Sequence, residues 1–378
     1  MANIIYLDNA ATAKVDPEVL DSYNQITLNY FANPSSIHSL GQMASRLLDK
    51  SREQILNVLK LTHHEVIFTS GATEANNLAI KGYCFANRTR GNHIITSVSE
   101  HPSVLNSVLE LKDFGYEVTV LPVNEKGAVE VKTLKAAIKE NTILVSLMMA
   151  NNETGAINPI KEIGEYLKKF PKIAFHVDMV QAMGKLPLEL ENIDMFSVAG
   201  HKIHGLLGSG ILVKEKKIII KAINNGGGQE NNLRSGTNTL ALSASLAKAI
   251  RIAISNQAKD YEHVKVLSKR LLDYLNDNQD KYRINSFFEE NPYIVNFSLL
   301  NHKASVVVEA LSNRGIMVSS LSACHAKHED YSAVVYAMTK DLNIAHNTIR
   351  VSFGKDNTLE EVELLIKNLE EIIKEIKQ

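Results

Sequence analysis

A chain of 378 residues, 45% apolar and 22% charged, has ordinary globular composition and enough length for more than one hydrophobic core. Its formal net charge of −1 argues against nucleic-acid or anionic-membrane binding driven by bulk electrostatics. Two cysteines, Cys84 and Cys324, rule out a disulfide framework and point to a reducing cytoplasm; no apolar run reaches bilayer-spanning length, and "MANIIYLDNAATA" lacks a leader pattern.

Residues 1–15 precede the first helix. From 64 to 215 the pattern alternates. "EVIFTS" reads as a strand and "GATEANNLAIKGYCFA" as a helix. "HIITSV" and "HPSVLNSVLELKDF" repeat the pair. "YEVTVLPV", "TILVSLMM" and "KIAFHVD" are further strands, with helical "VKTLKAAIK" and "IKEIGEYLKKF" between them. "MFSVAG" and "GSGILVK" close the series. Such alternation predicts an α/β fold with a largely parallel sheet and helices on both faces. Ligands then bind at the strand carboxyl ends. The strand order is not legible. After about 255 the texture changes to a charged helical run (258–277), "YIVNFSLL", a helix near 304–313, "GIMVSS", a small polar loop, "NTIRVSFG" and an amphipathic helix over 358–376. We expect a large domain over 16–255. A smaller α+β domain would combine 1–15 with 256–378 and carry the Cys324 loop.

Lys202 lies between the strand "MFSVAG" and a glycine-rich turn. Alone it reads as a surface lysine. Its company changes that reading. Asp178 ends the strand "KIAFHVD", and Gly71, Ala72 and Thr73 open a helix. A lysine amine, a carboxylate for a pyridine nitrogen and a helix start for a phosphate are what pyridoxal 5'-phosphate requires. Taken singly, "SGATE" is an ordinary helix cap and Asp178 a helix N-cap.

The ordered set "YLDNAAT", "NPSSIHSLG", "SGATEANNLAIKG", "SEHPSVL", "NNETG", "HVDMVQ", "GHK", "GGGQENNLRSGT", "SAC" and "IRVSFG" resembles the NifS/IscS-type cysteine desulfurases of the class V aminotransferase group, nearly end to end. The resemblance implies a pyridoxal-phosphate transferase of fold type I, with a mostly parallel seven-stranded sheet in the large domain. It makes Lys202 the lysine that binds the cofactor and moves the substrate α-proton. Asp178 becomes the partner of the pyridine nitrogen and His101 the histidine stacked on the ring. Asn152 matches the side chain on the ring hydroxyl, and Gln181 a further contact at that edge. Thr73 and His201 match phosphate ligands. Thr237 matches the threonine reaching the neighbouring subunit's phosphate, which implies a homodimer. Arg350 matches the clamp on the substrate carboxylate, where a planar fork suits two parallel bonds. Asn33, with Asn152, would line the substrate end.

Cys324, in "SSLSACHAKHED", matches the sulfur-accepting nucleophile. His325, Lys327 and His328 would favour its thiolate. The resemblance implies conversion of L-cysteine to L-alanine, a persulfide on Cys324, and transfer to an acceptor protein serving iron–sulfur assembly or tRNA thiolation. No metal is expected, because a single thiol is a poor start for a Cys/His site. No direct nucleic-acid contact and no membrane contact are expected. Cys84, on an amphipathic helix, reads as a small buried hydrophobe. The sequence departs from the family at Ala199, where a phosphate-binding serine is usual, and at Gln229, where histidine is frequent. Rival readings keep the fold and change the outcome: an aminotransferase, a selenocysteine lyase, or a degenerate cofactor-binding assembly subunit.

Overall fold

The computed structural model describes residues 4–287, 291–320 and 331–376. Cys324, His325, Lys327 and His328 lie outside the described residues. The chain opens with β1 (Ile5–Tyr6), α1 (Pro17–Asn29) and α2 (Ser39–Val58). The alternating region follows: β2 (His64–Thr69), α3 (Ala72–Asn77), α4 (Tyr83–Ala86), β3 (His93–Ser97), α5 (Pro102–Glu110), β4 (Glu117–Leu121), α6 (Val131–Ala137), β5 (Thr142–Met148), α7 (Ile160–Leu167), β6 (Ala174–Asp178), β7 (Met195–Ala199) and β8 (Gly210–Glu215). Helix α8 (Leu240–Asn276) leads to β9 (Tyr282–Ile284), β10 (Ile294–Leu299), α9 (Ala304–Asn313), β11 (Ile316–Met317) and β12 (Ser319–Ser320). The chain continues through α10 (Ala333–Thr339), α11 (Leu342–His346), β13 (Thr348–Ser352) and α12 (Leu359–Glu375).

The main sheet has seven strands in the order β2-β8-β7-β6-β5-β3-β4, and only β8 runs antiparallel to its neighbours. Consecutive strand residues serve opposite faces. Val145 and Phe196 join the core packed with Leu48, Ile163 and Ile250, whereas Leu144 and Met195 join the core packed with Leu78, Ile80 and Val104. Both faces are covered, which is why these strands read as continuous apolar runs rather than alternating ones.

A third core holds Phe297, Val295, Ile349 and Val351, and it draws in Ile5 and Leu7 from the chain's beginning. Here a four-stranded antiparallel sheet, β12-β13-β10-β9, packs against α12 and α9. Helix α8 joins the two lobes. Its first turns pack into the large-sheet core through Leu246 and Ile250, and its last turns into the third core through Leu267 and Leu271. The charged run 258–277 is thus the second half of a longer helix. The alanine- and serine-rich first half is weakly amphipathic in sequence and helical by burial. The stretch "GATEANNLAIKGYCFA" also differs from a plain helix, because Leu78–Gly82 form a π-turn between α3 and α4. Among the described residues, no helix is long and apolar enough to cross a membrane.

Strand β7 carries the chain to Lys202, and Phe196 near its start is 1% exposed. Phe196→Ala is expected to cost about 3–5 kcal/mol in chemical denaturation, the range for a buried aromatic that cannot be refilled.

Candidate active site

The carboxyl ends of β3, β5, β6 and β7 open on one edge of the sheet, and a cavity of about 770 Å³ lies there. Gly71, Ala72, Thr73, His101, Asn152, Asp178, Gln181, His201, Lys202 and Arg350 all line it. Ten of the sequence-predicted residues therefore meet in one place. Asn33 and Thr237 do not. Both are exposed and away from the cavity, and Asn33 Oδ1 accepts from its own loop at Ser35 N.

Lys202 follows β7 on a short 3-10 turn. Its Nζ donates to Ala10 O at 2.6 Å and Ala11 O at 2.5 Å. Asp178 closes β6 and is buried. Its Oδ1 accepts from Val180 N at 2.9 Å and its Oδ2 from Asn76 Nδ2 at 2.8 Å. Burial pushes the Asp178 carboxyl up, while these donors and the nearby Lys202 pull it back.

Asn76 spends its second N–H on Ser103 Oγ at 2.9 Å, and Ser103 Oγ lies 2.8 Å from His101 Nδ1. Ser103 N also donates to that nitrogen at 3.1 Å, so His101 N-caps α5 through Nδ1. Because Nδ1 accepts, the neutral ring carries its proton on Nε2. A chain of hydrogen bonds thus ties the carboxylate to the histidine. Asn76 and Ser103 escape a reading of the sequence because a single Asn or Ser on a helix has no spacing that marks it.

The opening of α3 has no side-chain cap, so neither Ser70 nor Thr73 fills that role. A Cβ on Gly210 would sit 2.6 Å from the Gly71 backbone, whereas one on Gly71 would meet nothing within 4 Å. The two glycines let β8 press against the turn from one side and leave the other side open. Glu74, at the same helix start, is neutralised by Arg234 Nε at 2.7 Å and accepts from Ser70 N at 2.6 Å. Burial lowers His201 to about 4, so its ring is neutral. Ala199, buried at the end of β7, lines the cavity without a hydroxyl.

Arg350, on β13, enters from the smaller lobe and is buried. Its Nη2 pairs with Asp8 Oδ1 at 2.8 Å and its Nη1 donates to Asn152 O at 2.8 Å. Nε is buried and has no hydrogen-bond partner among the described residues.

Glu100 is the carboxyl missed beside His101. Oε1 accepts from Ser97 Oγ at 2.6 Å and Met148 N at 3.1 Å, while Oε2 is buried and unpartnered among the described residues. Burial pushes its pKa to about 8. Cys84 is fully buried and burial raises its thiol strongly, so it is inert.

A pH prediction follows from Glu100. Its folded pKa lies above the ordinary value near 4.3, so between those limits the folded chain holds a proton that the unfolded chain has lost. Stability therefore falls as pH rises from about 4.5 towards 8. Glu100→Gln keeps the shape and removes the ionisation. Denaturation of the cofactor-free variant is expected to lose that share of the decline and to show higher stability than wild type at pH 8.

Comparison with known proteins agrees with this geometry. The aminotransferase class-V family pattern matches residues 5–365. A NifS/IcsS protein homolog of Lactobacillus delbrueckii subsp. bulgaricus is 41% identical over 373 residues, covering 98% of this chain and 97% of that protein. Cysteine desulfurase IscS of Clostridium botulinum is 37% identical over 376 residues, covering 98% and 94%. A solved NifS-like protein superposes with a TM-score of 0.92 at 34% identity, covering 99% of this chain and 100% of that one. The chain belongs to the aminotransferase class-V family, and its relatives there are NifS/IscS-type proteins.

Proposed function

We propose that the chain is a pyridoxal-phosphate-dependent cysteine desulfurase that converts L-cysteine to L-alanine and passes the sulfur through Cys324 to an acceptor protein. The observation that carries this reading is the convergence of Lys202, Asp178, His101 and Arg350 on one cavity. The residues fit the cofactor. A reachable amine, a buried carboxylate, a neutral histidine and an open glycine turn at a helix start form the donor set that pyridoxal phosphate needs. Asp178 would hold the pyridine nitrogen, Asn152 and Gln181 the ring-hydroxyl edge, and Gly71, Ala72, Thr73 and His201 the phosphate. When bound, the cofactor supplies an electron sink for charge left at the substrate α-carbon.

The protein's own groups do the rest. Arg350 binds the substrate carboxylate, with Asp8 and Asn152 O fixing the plane of its fork. Lys202, when neutral, would take the α-proton from the place where the carbonyls of Ala10 and Ala11 hold its amine. The Asn76–Ser103 link holds His101 in one orientation, where it would meet the cofactor ring. Asn33, which does not line the cavity of its own chain, would reach the substrate end only from a second copy. The Cys324 thiolate would form an S–S bond with the substrate sulfur as the Cβ–S bond breaks; the bonding pair stays on the three-carbon fragment, which takes up a proton and leaves as L-alanine, and a persulfide remains on the protein.

A homodimer is part of the proposal. Leu28, Phe31 and Ile37 are 72%, 76% and 92% exposed, and Leu207 at the cavity rim is 68% exposed. A second copy seated on this surface would cover them and bring its Thr237 to the phosphate. The acceptor is proposed to be an iron–sulfur scaffold or a tRNA-thiolating enzyme, and the sparing use of cysteine supports a cytoplasmic setting. We place the division between lobes within α8, near 255, as a change of packing partner rather than a linker.

Cys324→Ser is expected to abolish persulfide formation and sulfide release from L-cysteine, read by sulfide and alanine assays. Unchanged turnover to a protein acceptor would point to the aminotransferase or lyase alternative. Arg350→Ala is expected to raise KM for L-cysteine on the order of a hundredfold, because a buried carboxylate loses a bidentate partner. A KM unchanged from wild type would remove Arg350 from the substrate site.

A further inference from the structure

Lys185 lies on the connection between β6 and β7 and is buried. It pairs with no carboxylate among the described residues. Its Nζ donates to Gln181 Oε1 at 2.9 Å and lies 6.0 Å from the centre of the Tyr293 ring. Such a placement costs stability unless the charge is compensated. Burial, then the neighbouring Lys202 and Arg350, bring its pKa down to about 7. The small chamber beside it is also lined by His204 and Asp260, while Asp16 and Lys355 in the same chamber pair with each other.

The contact has a directional consequence. A lysine ammonium only donates, so the group facing it must be the oxygen of the Gln181 carboxamide. The NH2 end is then turned the other way. One of its hydrogens goes to Ala10 O at 2.9 Å. The other is left for the cavity that Gln181 lines. Ala10 O favours the same orientation, but it is shared with Lys202 Nζ at 2.6 Å. Lys185 is the partner that Gln181 does not share with the lysine of the reaction.

We propose that Lys185 is a positioning residue: it locks the Gln181 carboxamide with an N–H toward the ring-hydroxyl edge of the cofactor, so that the site favours that oxygen in its ionised form. This rests on the pyridoxal-phosphate reading given above. It places the effect on a residue that does not line the substrate cavity and acts only through its neighbour.

The test is a pH titration of the visible absorbance of the protein reconstituted with pyridoxal phosphate, run as a double-mutant cycle. Lys185→Met removes the donor at similar length. The pH of half-change is expected to rise by about one unit, a tenfold change in the equilibrium. Gln181→Ala should raise it similarly, and the double variant should rise no further. Lys185→Arg, which keeps a donor, should restore the wild-type midpoint. If Lys185→Met does not fold, Lys185→Gln is the second probe. Its amide both donates and accepts, so Gln181 is free to turn and the same rise is expected. An unshifted midpoint would show that Lys185 does not act on the ring, and shifts that add in the double variant would show a bare charge acting across space; either result overturns the proposal. A wild type that develops no visible band with added cofactor overturns this inference and the cofactor reading together. A wild type with the band that yields no alanine from cysteine overturns the desulfurase reading alone.

Discussion

Four residues near the start of the chain, Asp8 to Ala11, hold the site together. Asp8 takes one nitrogen of Arg350 from the smaller lobe, and Ala10 and Ala11 offer their carbonyls to Lys202 from the large sheet. Asn9 Nδ2 bonds Asn357 Oδ1 at 3.1 Å, and Ala10 N bonds Ser352 Oγ at 2.8 Å. A turn thus stands between the lobes, with the carbonyls of Ala10 and Ala11 toward Lys202 and the Asp8 and Asn9 side chains toward the smaller lobe. The spacing between the amine and the guanidinium is set by this segment, because each is fastened to a different part of it. A buried ion pair such as Asp8–Arg350 is weak as a source of stability, and its better-attested use is to fix geometry.

The electrostatics of the cavity follow from burial. Lys185, Lys202 and Arg350 place several cations near one another, with Asp178 as the carboxylate on the floor. Glu100 and His201 are both pushed toward their neutral forms. Basic side chains set beside acids held neutral suit a phosphate, a carboxylate and an ionised ring oxygen together. Arg234 settles the one acid that would oppose the phosphate, Glu74.

Much of this was legible in the sequence, and the limits are physical. Apolar runs with turn residues between them marked the sheet strands because both faces are covered. Lys202 and Asp178 stood out because a strand end is where chemistry is placed, whereas Arg350, in the middle of β13, came from the family resemblance. The strand order was not legible, since right-handed crossovers alone allow several orders. The first half of α8 was missed because small residues give little amphipathic signal. Asn76, Ser103, Glu100, Asp8 and Lys185 were missed as functional residues because each acts through a hydrogen-bond partner, distant in sequence for Asp8 and Asn76 and near for Ser103, Glu100 and Lys185. Their roles come from hydrogen bonds, and no spacing encodes those. Thr237 and Asn33 were read from family resemblance and do not line the cavity; that fits the expectation of a second subunit for Thr237 and departs from the expected place of Asn33.

Two parts with different needs make up the proposed reaction. The cavity must be rigid, because a carboxylate, an amine and a guanidinium have to stay in register. The sulfur carrier must reach both that cavity and an outside protein. The central claim is that sulfur leaves L-cysteine and arrives on Cys324, and peptide mass spectrometry measures it most directly. After the reconstituted protein is given one equivalent of L-cysteine and alkylated, the peptide containing Cys324 should carry one extra sulfur atom, with an equal amount of L-alanine released. Alanine formed with no added sulfur on that peptide, or sulfur found on Cys84 instead, would contradict the account.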